Sequence, residues 1–240
     1  GRDKGMKPAP TRGAAATLRR MHDRLFHAYG GQNWWPARTP FEVVVGAYLT
    51  QNTAWTSVER SLAQMEAAGA LCVEGLRAVP EERLRELVRP SGFATRKAPA
   101  LKAFLALLDA EFGGSLDAMA QAETAELRRK LLGLPGVGPE TADAILLYAL
   151  GHAVPVGDEY LRRIAARHRL LEPAPAKNRA GYDGLAELTR RAFAGDAEPD
   201  KARLYNEFHA LVVAAGKAHC GRTARCAGCP LEGFPHDATI

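Results

Sequence analysis

Cys220, Cys226 and Cys229 crowd into the last tenth of a 240-residue chain that has four cysteines in all. Thiols at that spacing suggest a bound metal rather than disulfides, provided the chain is cytosolic. His236 follows closely, so a Cys3His zinc set is one alternative and a degenerate loop another. Cys72, on a mixed helix, reads as packing. A second grouping is Leu134-Pro135-Gly136-Val137-Gly138, followed by Pro139, Glu140 and Thr141. Its glycines allow tight backbone free of side chains, and Pro139 suits the first position of a new helix. The N–H groups opening that helix would point outward, where a phosphate can approach them. Periodic helices on both sides favour a DNA-binding hairpin over a plain Gly-capped connection. The third candidate, Asp158, stands just before a helical stretch, where an aspartate reads first as an N-cap.

The elements that must position these residues are helices. Apolar residues recur at helical spacing in Phe41, Val44, Val45, Tyr48, Leu49 and in Leu101, Phe104, Leu105, Leu108. Further amphipathic stretches cover 18–29, 58–67, 81–88, 123–132, 141–150, 160–170, 185–193 and 204–215, and no run alternates with period two. Breakers separate them at Gly30-Gly31, Val79-Pro80, Arg89-Pro90-Ser91-Gly92, Gly113-Gly114, 133–139, 172–176 and 195–199. The expectation is an all-α fold of about ten short helices. One module covers 40–150, with the hairpin unit at 123–150, and a second combines 13–39 with 151–240, including the cysteine loop 220–236.

Hydrophobic residues make up 47% and charged residues 25% of the chain, ordinary for a soluble globular protein. No stretch approaches the run of about 18 apolar residues that a membrane span needs, so no membrane partner is expected. Residues 1–12 are polar, basic and Pro-containing, and read as a disordered leader or an added tail ahead of Met6. Nothing in them resembles a signal peptide, which points to a cytoplasmic protein, nucleoid-associated if bacterial. A net charge of +5 favours polyanions weakly. No long exposed apolar stripe argues for an obligate oligomer, so a monomer is expected.

The hairpin, followed by Val156-Gly157-Asp158-Glu159-Tyr160-Leu161-Arg162-Arg163, resembles the helix-hairpin-helix DNA glycosylases of the endonuclease III superfamily. Asp158 follows Gly138 by 20 residues, which suits the essential aspartate of that family. Residues 40–53, Pro-Phe-Glu-Val-Val-Val-Gly-Ala-Tyr-Leu-Thr-Gln-Asn-Thr, are similar to its first core helix and the loop after it. The resemblance runs from Gly31 to Pro230 and implies two helical modules flanking a DNA-binding cleft, with an iron-sulfur-type loop at the C-terminus. The Trp34-Trp35-Pro36 segment, with Leu-Thr-Gln-Asn-Thr and Trp55 two residues beyond, is similar to the 3-methyladenine branch.

The resemblance implies specific roles. Asp158 becomes the catalytic carboxylate that stabilises an oxocarbenium-like sugar and orients water. Leu134, Gly136, Val137, Gly138 and Thr141 grip the backbone of double-stranded DNA carrying a damaged base, and Gln51 fills the gap left by the flipped nucleotide. Trp34, Trp35 and Trp55 line the base pocket, where aromatic faces attract cationic alkylated purines. Bifunctional members carry a lysine two residues after the hairpin's last glycine; Glu140 stands there, and a carboxylate forms no Schiff base. A monofunctional alkylpurine glycosylase with weak or absent lyase activity is therefore expected. The alternatives are an endonuclease III-like glycosylase/lyase for oxidised pyrimidines and a catalytically weak lesion-binding protein. Cys220, Cys226 and Cys229 match three of the four ligands of the family's [4Fe-4S] cluster, with His236, Asp237 or an external ligand as the fourth.

Overall fold

The computed structural model describes residues 5–35 and 37–240. In chain order its elements are β1 (Ala9–Pro10), α1 (Ala14–Tyr29), α2 (Pro40–Leu49), α3 (Trp55–Ala67), α4 (Val73–Ala78), α5 (Glu81–Val88) and α6 (Ala94–Phe112). There follow α7 (Leu116–Ala120), α8 (Thr124–Leu132), α9 (Pro139–Ala144), α10 (Glu159–Arg167), β2 (Leu171–Glu172), α11 (Arg179–Ala192) and α12 (Glu198–Ala218). A 3₁₀ turn, Arg89–Ser91, precedes α6, and α9 runs on into a π-helical turn, Ile145–Ala149. No helix among the described residues is long and apolar enough to cross a membrane.

The chain divides into two compact units, Trp35–His152 and the two chain ends, up to Trp34 and from Ala153 onward. The middle unit is built around α2. Thr39 caps that helix by accepting Glu42 N at 3.1 Å, and Pro40 opens it. Every residue from Val43 to Leu49 is buried, so α2 is apolar all round, as a helix at the centre of a core must be. Helices α3, α6 and α9 and the π-helical turn pack on it, and Leu62, Leu101, Phe104, Leu131 and Ile145 complete the core. The boundary falls at Trp35 rather than residue 40 because the Trp35 ring lies on Gly46 of α2, where a Cβ would stand 3.3 Å from Cζ2.

In the other unit α1 packs on α11 and α12, and α10 packs on the same two helices. Leu18, Met21, Leu25, Ile164, Leu188, Phe193 and Leu211 form its core. Buried His22 on α1 holds Glu207 of α12 at 2.9 Å. Gly216 of α12 lets the Tyr160 ring of α10 come so close that any Cβ there would collide with it. The all-α expectation needs one addition, since β1 and β2 pair antiparallel, Ala9 opposite Glu172 and Pro10 opposite Leu171. The expected disorder over 1–12 is corrected in the same place: Pro8 is buried against Gly184 and Thr11 N bonds Leu170 O at 3.0 Å. Residues 1–4 of that segment lie outside the described residues.

Candidate active site and nucleic-acid interface

The hairpin forms because α8 stops at Gly133 and α9 cannot start before Pro139. Gly136 carries the turn at φ 76°, a left-handed conformation that favours glycine, while Gly138 is extended at φ −96°. Nothing lies within 4 Å of where a Gly138 Cβ would be, so the backbone there is open to approach. Leu134 is half-buried, and the Val137 and Thr141 side chains are buried, so at those two positions the main chain is what the hairpin presents. Arg128 on α8 and Asp143 on α9 clamp the motif through a fork-shaped ion pair at 2.7 and 3.0 Å.

Gln51 lies against this hairpin. Its Nε2 donates to Gly136 O at 2.8 Å and to Thr141 Oγ1 at 2.9 Å. Beneath the loop sits Lys97 of α6, 4% exposed, with Nζ donating to Leu49 O (2.8 Å), Ser91 O (2.8 Å) and Thr53 Oγ1 (3.0 Å). Burial pushes this ammonium down to about 8. The loop after Ser91 ends in Phe93, a residue 57% exposed with φ at 50°. Exposed aromatic faces of this kind stack on bases. Phe93 is a candidate that sequence reasoning missed; its place in a run of breakers, Arg-Pro-Ser-Gly-Phe, was the available signal.

The aromatic residues separate. Trp35 and Trp55 meet edge to face with centroids 5.7 Å apart, and Tyr148, from the π-helical turn, joins Trp35 at 5.4 Å. Trp55 Nε1 donates to Glu59 at 2.9 Å. Tyr148 was not foreseen; π-helical turns recur at functional sites because they break the α-helical facing. Trp34 belongs to the other unit, where its ring lies 5.9 Å from Lys217 Nζ. Pro36 lies outside the described residues.

Asp158 caps α10, accepting Leu161 N on Oδ1 at 2.8 Å. Its Oδ2 lies 3.3 Å from His209 Nε2 of α12, and the residue is 5% exposed. Gly157 before it packs on Leu185, and the close approach of Tyr160 to Gly216 sets α10 against α12. The cap engages one oxygen and fixes the group, while the other oxygen faces a histidine. Such a preset carboxylate stabilises a positive charge developing beside it without reorganising. Glu140 is exposed on α9.

In the C-terminal loop, Arg167 Nη1 lies 2.9 Å from Cys220 Sγ, and Leu231 N donates to Cys229 Sγ at 3.4 Å. Burial raises the Cys229 thiol, with the neighbouring Cys220 and Cys226 adding to the rise. The donors suit a soft metal or iron-sulfur group in kind, three thiols of which Cys220 and Cys229 have N–H partners, but they are not gathered. Among the described residues no three His, Cys, Asp or Glu side chains are grouped to hold a metal ion. The candidate fourth ligands are otherwise engaged. His236 Nδ1 bonds Phe234 O at 2.8 Å with its ring on His168, and the Asp237 carboxylate accepts from Thr239.

The hairpin, the capped aspartate and the all-helical middle unit define a class. The chain belongs to the HhH-GPD superfamily of base excision DNA repair proteins, whose model matches residues 45–183, and as a class it is a DNA glycosylase. It is 38% identical to the Methanocaldococcus jannaschii protein MJ1434, which bears a provisional DNA repair glycosylase name, over 90% of this chain and 94% of that one. The thymine-DNA glycosylase of Aeropyrum pernix is 28% identical over 92% of this chain and 94% of its own. Among solved structures, the H. pylori 3-methyladenine DNA glycosylase bound to 1,N6-ethenoadenine superposes with a TM-score of 0.69 at 27% identity. That match covers 85% of this chain and 97% of the other.

Proposed function

We propose that the protein is a monofunctional glycosylase that releases alkylated purines from double-stranded DNA, acting as a monomer. The observation that carries this reading is the buried Asp158 carboxylate, locked between the α10 N-terminus and His209. In a purine nucleotide alkylated at ring N3 or N7 the base is cationic, so the C1′–N bond breaks with its electron pair going to the base, which leaves neutral; 1,N6-ethenoadenine is uncharged and leaves neutral only by taking up a proton from water as the bond breaks. Asp158 stabilises the oxocarbenium sugar. Water then forms the C1′–O bond and gives its proton to Asp158 or to solvent. Within the middle unit, Trp35, Trp55 and Tyr148 form an aromatic cluster of the kind that favours a cationic base. Gly136 and Gly138 bring main chain to the phosphates, and Gln51 meets the vacated stack. Glu140, where bifunctional relatives carry lysine, offers no amine for a Schiff base.

Cys220, Cys226 and Cys229 are proposed as three ligands that would hold a [4Fe-4S] cluster once drawn together, with the fourth position left to a non-protein ligand or to His236 released from Phe234 O. The cluster's part is to order the basic loop around Arg222 and Arg225; iron content and visible absorbance of protein purified without oxygen test it.

The deciding experiment is base release, followed by mass spectrometry, from duplexes carrying 1,N6-ethenoadenine, 7-methylguanine, thymine glycol or a G·T mismatch. Release of the two purines without strand cleavage, and without a borohydride-trapped adduct, is expected. Release of thymine alone would move the assignment to the activity named for the Aeropyrum pernix relative.

A further inference from the structure

We propose that Lys97 is a positioning residue for DNA strand separation: its buried ammonium ties the Gln51 loop and the Phe93 loop into one preset edge beside the hairpin. This rests on the reading that the hairpin face binds duplex DNA.

A buried charge is costly unless paired and hydrogen-bonded, and a buried lysine is usually matched by a carboxylate. Lys97 has none. Its three acceptors are oxygens from three separate segments: Leu49 O at the end of α2, Thr53 Oγ1 in the Gln51 loop and Ser91 O before Phe93. The first is a helix C-terminal carbonyl, where a cation is favoured. Thr53 extends the tie, since its hydroxyl proton is shared between Ser91 O and Gln51 O. Gln51 in turn reaches Gly136 and Thr141, so one chain of hydrogen bonds runs from the ammonium to the hairpin.

The same two loops hold Asn52 at φ 53° and Phe93 at φ 50°, both left-handed and neither a glycine. Such residues persist only where their surroundings over-determine them, at a cost of roughly 1–3 kcal/mol each. Lys97 is the group common to both surroundings, and the Phe93 ring lies 5.9 Å from its Nζ. A core lysine kept only for packing would not need acceptors from both exposed loops.

The test compares wild type with Lys97→Met, an apolar replacement of similar length that buried sites commonly tolerate, and with Thr53→Val, which cuts the tie and leaves the cation. The first readout is 2-aminopurine placed opposite a tetrahydrofuran abasic analogue in duplex DNA. Wild type raises its fluorescence by unstacking it, and both variants bind the duplex but lose the rise. The second is release of 1,N6-ethenoadenine, paired in duplex against unpaired in a one-nucleotide bulge. Because extrusion costs a few kcal/mol and least for an unpaired base, the variants lose about 10-fold or more on the paired lesion and less than about 3-fold on the bulge. Equal losses on both substrates, or a fluorescence rise that is absent in wild type or unchanged in the variants, overturn the proposal. If wild type releases no ethenoadenine, the substrate assignment fails by itself and the fluorescence comparison still decides the role of Lys97. Should Lys97→Met not fold, Thr53→Val gives the same decision.

Discussion

The clamp between Arg128 and Asp143 offers a direct test of what holds the hairpin in shape. Two charge-assisted hydrogen bonds, at 2.7 and 3.0 Å, join α8 to α9 across the turn. Asp143 is 4% exposed and Arg128 24%, so water screens the arginine but scarcely reaches the carboxylate. A hydrogen bond to a charged group contributes about 1.5–3 kcal/mol, and discounting for the partly exposed guanidinium gives ~2–3 kcal/mol for losing the pair. Arg128→Met is therefore expected to lower the melting temperature by roughly 5–10 °C, at ~2–4 °C per kcal/mol for a chain of this size. Urea unfolding followed by tryptophan fluorescence in a Trp34→Phe background reads the middle unit through Trp35 and Trp55. The double variant Arg128→Met/Asp143→Leu should recover part of the loss, because it removes the cost of keeping the carboxylate away from water as well. A cost for Arg128→Met below about 0.5 kcal/mol would show that the pair behaves like a surface ion pair and that the clamp argument is wrong.

Two further outcomes follow from the same geometry. Gly136→Ala forces an L-residue to φ 76° and places a Cβ 3.3 Å from that of Ala100, so it should destabilise by about 1–2 kcal/mol. Gly138→Ala meets open space at an extended φ and should leave the melting temperature nearly unchanged while weakening binding to undamaged duplex in a gel-shift titration. For pH, Lys97 is held down to about 8 by burial against 10.5 for an ordinary lysine. The unfolded chain thus binds more protons between those values, and the stability this group contributes is present above 10.5 and lost as pH falls through about 8. Urea midpoints should rise for wild type from pH 7.5 to 9.5, by at most ~3 kcal/mol in stability, and the rise should be missing in Lys97→Met.

The hairpin was legible because glycine and proline punctuate it and amphipathic helices flank it. Asp158 was legible by its place before a helix, and the cap it makes is the one its position predicted. Lys97 was hidden since a lysine within a helix reads as solvated, and only the packing of two distant loops over it turns it inward. Tyr148 escaped because a π-helical turn changes which residues share a face. Pairing of Ala9–Pro10 with Leu171–Glu172 spans some 160 residues, beyond the reach of any local pattern. The Trp pair shows the same limit: adjacent in sequence, Trp34 and Trp35 belong to different units.

The central claim is that Asp158 carries out base release. Asparagine caps a helix as well as aspartate does, so Asp158→Asn preserves the start of α10 and removes only the charge. Single-turnover release of 1,N6-ethenoadenine or 7-methylguanine by this variant, measured beside its affinity for the same duplex, should fall by about 100-fold or more with affinity kept within about threefold. Release within about threefold of wild type would contradict the account.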